Sequence, residues 1–152
     1  MSKLGGTYRT SCSGWVNPGD SCCCRPKEER KAVEERGTFS PTDYAEELAA
    51  AGYNRQLGTT VWFENDHIQV WEVRLDPGER GAFHIHDQTC FWTVVESGRG
   101  KQRFIDGTFI VRDYALGETR YLEQSSEDSL IHDLENVGET ILRFVTVALK
   151  DG

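Results

Sequence analysis

Two histidines, His84 and His86, stand two residues apart in "GAFHIHDQTC", and a third, His132, follows in "SLIHDLEN". Successive side chains of a β-strand leave on opposite faces, so His84 and His86 project from one face of the same strand. Neutral imidazole is the commonest metal-ligating side chain, and three protein ligands leave positions open for water or substrate. Two ligands from one strand and one from a distant strand would suit a centre built between sheets. The candidate chemistry is therefore that of a divalent metal on His84, His86 and His132. The competing expectation is three separate buried or edge histidines, each hydrogen-bonded to backbone. His67, which opens "HIQVW", is read as a surface or interface residue.

The elements that must position these rings are mostly strands. After Gly58 come "TTVWFEN", "HIQVWEVRL", "AFHIH", "CFWTVVE", "GKQRFI", "TFIVRDY", "ETRYLEQ", "SLIHDLEN" and "TILRFVTVALK". Turn signals such as "DPGERG", "SGRG", "LGE" and "NVGE" separate them, and Asp106–Gly107 is the strongest hairpin signal. So many short strands at close spacing predict an antiparallel sandwich or small barrel. One helix is predicted over "SPTDYAEELAAAGY", with Ser40 as N-cap, Pro41 at the first helical position and Gly52 as the stop. Tyr44, Leu48 and Ala51 are its packing face.

Residues 1–38 show no sustained period and are expected to form a flexible arm, with a single domain over 39–152. The arm carries seven Lys/Arg and five Asp/Glu, so the remainder holds ten and twenty and accounts for the acidity of the chain, −8 overall. A body that acidic argues against nucleic acid or an anionic membrane as partner. No apolar run approaches the ~20 residues of a membrane span, and the polar start predicts a cytoplasmic chain. Cys22, Cys23 and Cys24 are adjacent, which is not the C-x2-C spacing of a zinc site. Their readings are a loose tail or, as the weaker alternative, a functional thiol cluster.

The run "PGERGAFHIHDQTCFWTVVESGRG" resembles the first motif of the cupins, G-x5-H-x-H-x(3,4)-E-x6-G. Gly78, His84, His86 and Gly98 reproduce its spacing. "HDLEN" is similar to the end of the second motif, with His132 and Asn136, and the likeness spans about residues 56–150. Two departures stand out. The motif's glutamate is replaced, by Phe91 on the longer spacing or Cys90 on the shorter, and the P-x-G part of the second motif is missing. The resemblance implies an all-β, antiparallel double-stranded β-helix, the jelly-roll barrel, preceded by the helix and arm. It also implies a three-histidine site of His84, His86 and His132, like those of thiol dioxygenases and β-diketone-cleaving cupins. Fe(II) is then the preferred cofactor, with Mn, Ni, Cu or Zn as alternatives that imidazole also accepts.

Three neutral imidazoles on a divalent ion favour an anionic substrate or bidentate chelator. With Phe91 facing inward, strand parity adds Thr93, and Gln102 and Phe104 on the next strand, to the pocket; Tyr121 is the candidate for a pocket hydroxyl. Cys90 then faces away unless a bulge turns it into a thiolate ligand. Gln88 is read as a loop residue. Trp62, Trp71 and Trp92 are expected in the core or a dimer contact, and Arg143 in an outward ion pair. The partners expected are a small-molecule substrate and, through the apolar "TTVWFEN" edge, a second copy of the chain. The leading function is a metal-dependent dioxygenase. The alternatives are a non-catalytic metal- or ligand-binding cupin and a metal-dependent lyase or isomerase.

Overall fold

A computed structural model describes residues 33–150 of the chain. Its ten strands are β1 (Glu35–Thr38), β2 (Thr60–Glu64), β3 (Ile68–Leu75), β4 (Arg80–His86), β5 (Cys90–Glu96), β6 (Gly98–Arg103), β7 (Thr108–Tyr114), β8 (Thr119–Leu122), β9 (Leu130–Asn136) and β10 (Leu142–Leu149). They pair antiparallel in two five-stranded sheets, ordered β1-β7-β6-β9-β4 and β2-β3-β10-β5-β8. Numbered from one at β3, the last eight strands run 1-8-3-6 in one sheet and 2-7-4-5 in the other. That interleaving is the jelly roll: apart from the β6–β7 hairpin, successive strands from β3 onward alternate between the two sheets, so neighbours within a sheet are distant in sequence. β1 and β2 extend the two edges.

The nine strands expected after Gly58 are all present. β10 shows why its sequence forms a strand between two others, with Leu142, Phe144, Thr146 and Ala148 buried inward and alternate residues half-buried. It pairs along its whole length with β3 and, past a bulge at Arg143/Phe144, with β5. Asp106–Gly107 makes the β6–β7 hairpin. Gly107 takes φ +86°, and the Asp106 carboxylate accepts from both the amide and the hydroxyl of Thr108. A residue with a Cβ adopts that left-handed conformation only with strain.

The predicted helix divides. Pro41–Tyr44 form a 3-10 turn, and Ala45–Ala51 continue as α1. Ser40 does not cap through its side chain; its Oγ lies 2.6 Å from Thr42 Oγ1, while its carbonyl accepts the Asp43 N–H. Tyr44 and Phe39 pack on the Phe83 ring, with centroids 5.6 and 6.2 Å away. Glu47 grips the Arg80 guanidinium with both oxygens, at 2.8 and 2.9 Å. Arg80 also reaches Asp133, a fully buried carboxylate shared with Arg103. Helix and turn are thereby tied to the outer face of β4 and β9.

Of the arm expected over 1–38, residues 1–32, with Cys12 and the cysteine triplet, lie outside the described residues. The last part of that expectation needs correcting, because Glu35–Thr38 pair with Val111–Thr108 of β7 as an edge strand. Three of these residues are exposed, so they lack the apolar alternation that would have marked a strand. Gly37 is fitted to its place: a Cβ there would meet the Phe109 ring at 2.6 Å.

Candidate metal centre

β4 and β9 bring the three histidines together by register. His84 is the cross-strand partner of His132, and His86 follows two residues on, so all three leave the same face of one ladder. That face is the interior, between the two sheets. Phe83, which precedes His84 and leaves the opposite face, is also buried, under Phe39 and Tyr44. Both faces of β4 are therefore covered, one by the opposite sheet and one by the N-terminal helix and turn.

The rings converge through their Nε2 atoms. His86 Nε2 lies 3.0 Å from His84 Nε2 and 2.9 Å from His132 Nε2. His84 Nδ1 is 2.9 Å from the Ala82 carbonyl, which can only accept, so Nδ1 carries the proton and Nε2 presents its lone pair. Burial holds His84 and His132 below the ordinary imidazole pKa, and burial reinforced by the neighbouring His84 takes His86 to about 3. All three are thus neutral at pH 7, as metal ligands must be. A divalent ion bonded to imidazole at about 2.1 Å, with ligands at right angles, sets adjacent nitrogens about 3 Å apart. The His84–His86 and His86–His132 separations match that spacing, and all three ligand atoms lie within 4.8 Å of one another. No carboxylate belongs to the cluster among the described residues.

Supports around the rings differ. The Cys90 thiol lies 3.4 Å from His86 Nδ1. His132 Nδ1 is buried without a hydrogen-bond partner among the described residues. Packing sets that ring instead, because Phe104 stacks on it at 6.1 Å and 21°.

Cys90 faces inward and is fully buried, which corrects the parity expected for β5. Its inward neighbours are Trp92 and Val94, not Phe91 and Thr93. The expectation rested on the motif's longer spacing, which puts Phe91 at the glutamate position; the structure follows the shorter one, with Cys90 inward, in step with alternation counted from His86. No bulge is needed, and the thiol meets the far side of the His86 ring instead of joining the converging nitrogens. Burial pushes it up to a pKa of about 11.

A cavity of about 380 Å³ opens from the histidines. Gln102 lines it as expected; Phe91, Thr93, Phe104 and Tyr121 do not. Phe91 and Thr93 pair with Tyr121 and Thr119 of β8 on the other side of the sheet, and Tyr121 is 62% exposed. Phe104 touches the site only through its stack on His132. Gln88 lines a separate polar hollow with Asp87 and Asp128. Arg143 is ion-paired to Glu72, as expected.

The apolar walls are Trp92, Tyr114, Leu134 and Phe144, with Val73 and Leu75 beside them. Three of these rings meet edge-on, Trp92 with Phe144 at 5.4 Å and Tyr114 with Phe144 at 5.1 Å. The sequence hid Trp92 because β5 was expected to show its opposite face, and the rest because they converge from β3, β7, β9 and β10, which no local spacing relates. Also unforeseen is the segment Asn54–Thr59, which has no periodic signal and lines the cavity. Asn54 fastens it, its carbonyl accepting the Ile85 N–H and its amide donating to the Phe83 carbonyl. Gly58 lies so close to β3 that a Cβ would meet the Glu72 carbonyl oxygen.

Comparison with solved structures follows this geometry. A cupin domain from Bordetella pertussis superposes with a TM-score of 0.54 at 21% identity, over 60% of this chain and 91% of that one. The chain has a cupin fold. A Klebsiella pneumoniae protein with a double-stranded β-helix domain matches at TM-score 0.48 and 20% identity, over 69% of this chain and 95% of that one. No protein-family model matches the sequence, and no curated protein is significantly similar to it. The cupin barrel and its three-histidine group are compatible with a divalent metal. No helix among the described residues is long and apolar enough to cross a membrane.

Proposed function

We propose that this cupin is a mononuclear metal-dependent oxidoreductase, a dioxygenase that acts on a small molecule bound as an anion. His84, His86 and His132 would hold the ion, with Fe(II) the preferred occupant. A bound Fe(II) with open positions supplies Lewis acidity and the capacity to activate dioxygen. The observation that carries this reading is the convergence of three neutral imidazole nitrogens, with His86 Nε2 3.0 and 2.9 Å from the other two, in the lining of a cavity. The protein's part is to hold the rings neutral and in one tautomer, to exclude water with aromatic walls, and to orient the substrate.

The inventory of the cavity favours redox chemistry over a lyase or isomerase. Apart from the histidines, its charged lining residues are Glu79 and Arg80. Glu79 accepts the Asp76 N–H at 2.7 Å, and Arg80 is held by Glu47 and Asp133. Arg80 is therefore no free proton-transfer group, and one oxygen of Glu79 is already engaged, which disfavours acid–base chemistry. Oxygen consumption by Fe(II)-loaded protein, measured over a panel of chelating oxygen compounds, tests the proposal. Substrate-dependent uptake abolished by His132→Ala supports it. Ligand binding with no uptake across the panel leaves a metal- or ligand-binding cupin and rejects the enzyme.

A further inference from the structure

Resting on the metal reading above, we infer that the ligand's negative charge is confined to a two-oxygen chelating head, and that the rest of the molecule is uncharged and apolar. The first part follows from the centre. Three neutral imidazoles leave the full charge of a divalent ion in a buried site, which a monoanionic bidentate head offsets at low dielectric. Three of an octahedral ion's positions stay open on the side away from the rings, enough for two cis oxygens and one further ligand.

The second part follows from the walls. Beyond the histidines the cavity is bounded by Trp92, Tyr114, Phe144, Leu134 and Val73. The one cation in its lining, Arg80, is already paired with the bidentate Glu47 and with Asp133. Around that corner Arg80 and Arg103 give two positive charges, while Glu47, Asp133, Glu135 and Glu79 give four negative ones. A second carboxylate on the ligand would meet no available cation and a surplus of negative charge. A zwitterionic, amino-acid-like ligand would bury both its charges among hydrocarbon. The volume, about 380 Å³, lies near the lower end of the roughly 300–1,000 Å³ typical of small-molecule pockets, which suits one ring with short branches. Gln102 and Thr146, both in the lining, supply neutral hydrogen-bonding groups that orient such a body without demanding charge.

The test compares three ligands that share one chelating head. Tropolone, 4-isopropyltropolone and 4-carboxytropolone are titrated calorimetrically, under argon, into protein whose iron content has first been measured. The inference expects the isopropyl compound to bind about tenfold tighter than tropolone and the carboxylate at least tenfold weaker. Phe144→Leu should erode the isopropyl preference and leave tropolone affinity within about twofold. If that variant does not fold, Leu122→Ala, at another point of the lining, is read the same way. Iron-loaded protein that binds the carboxylate as well as tropolone would overturn the inference and leave the metal centre standing. Protein that takes up no iron would overturn the metal reading and this inference with it, and the iron assay separates the two failures.

Discussion

Cys90 Sγ lies 3.4 Å from His86 Nδ1, where this chain departs from the glutamate of the motif it resembles. With an ion held at Nε2, His86 would carry its proton on Nδ1 and donate to sulfur. The thiol therefore fixes the tautomer and angle of a ligand ring from behind, the role outer-shell partners play at metal sites. Cys90→Ala should weaken metal affinity by about tenfold, measured by competition with a chromophoric chelator, and Cys90→Ser should recover part of the loss. Unchanged affinity in both variants would reduce Cys90 to a packing residue.

Acid should weaken the metal-free protein. Burial keeps His84, His86 and His132 below their ordinary pKa, His86 at about 3, so the folded state stays unprotonated where the unfolded chain titrates. Below pH about 6.5 the unfolded state binds more protons, and stability falls as pH drops. Each ring contributes up to about 1.4 kcal/mol per pH unit in that window. Urea midpoints measured in chelator should decline from pH 6.5 to 5, and His86→Gln should remove about a third of the slope. A flat profile would mean that the rings are not buried as described.

Asp133 is fully buried between Arg80 and Arg103, 2.9 Å from each. Asp133→Ala leaves two guanidiniums facing each other without their shared anion. The loss should be about 3–5 kcal/mol by denaturant unfolding, with α1 loosened because Arg80 also holds Glu47. A loss below about 1 kcal/mol would show the network to be a solvated surface feature.

The outer edge of β2 is unpaired among the described residues, and the strand carries Val61, Trp62 and Phe63 at 40, 48 and 52% exposure. Exposed apolar edges invite strand addition. We propose that two copies of the chain associate here. Sedimentation velocity should find a dimer that Phe63→Glu converts to monomer; a wild-type monomer at micromolar concentration would contradict the proposal.

Much of this was legible in the sequence wherever a local rule met a local cause. Asp106–Gly107 marked a hairpin because a left-handed turn demands such residues. The strands after Gly58 declared themselves by alternation, and His-x-His placed two rings on one face before any partner strand was known. What was not legible was long-range or irregular. Whether Phe91 or Cys90 faced inward turned on which of the motif's two spacings the chain follows, and the structure follows the shorter. β1 was hidden by charged edge residues. Asn54–Thr59 lines the cavity through contacts with Ile85, Phe83 and β3 that no spacing announces.

Metal analysis of protein purified without chelator tests the centre most directly. About one divalent ion per chain is expected in the wild type, and almost none in His84→Ala, His86→Ala and His132→Ala, with all three variants folded by circular dichroism. Folded wild-type protein that stays metal-free after exposure to Fe(II), or variants that retain a full complement of metal, would contradict the account.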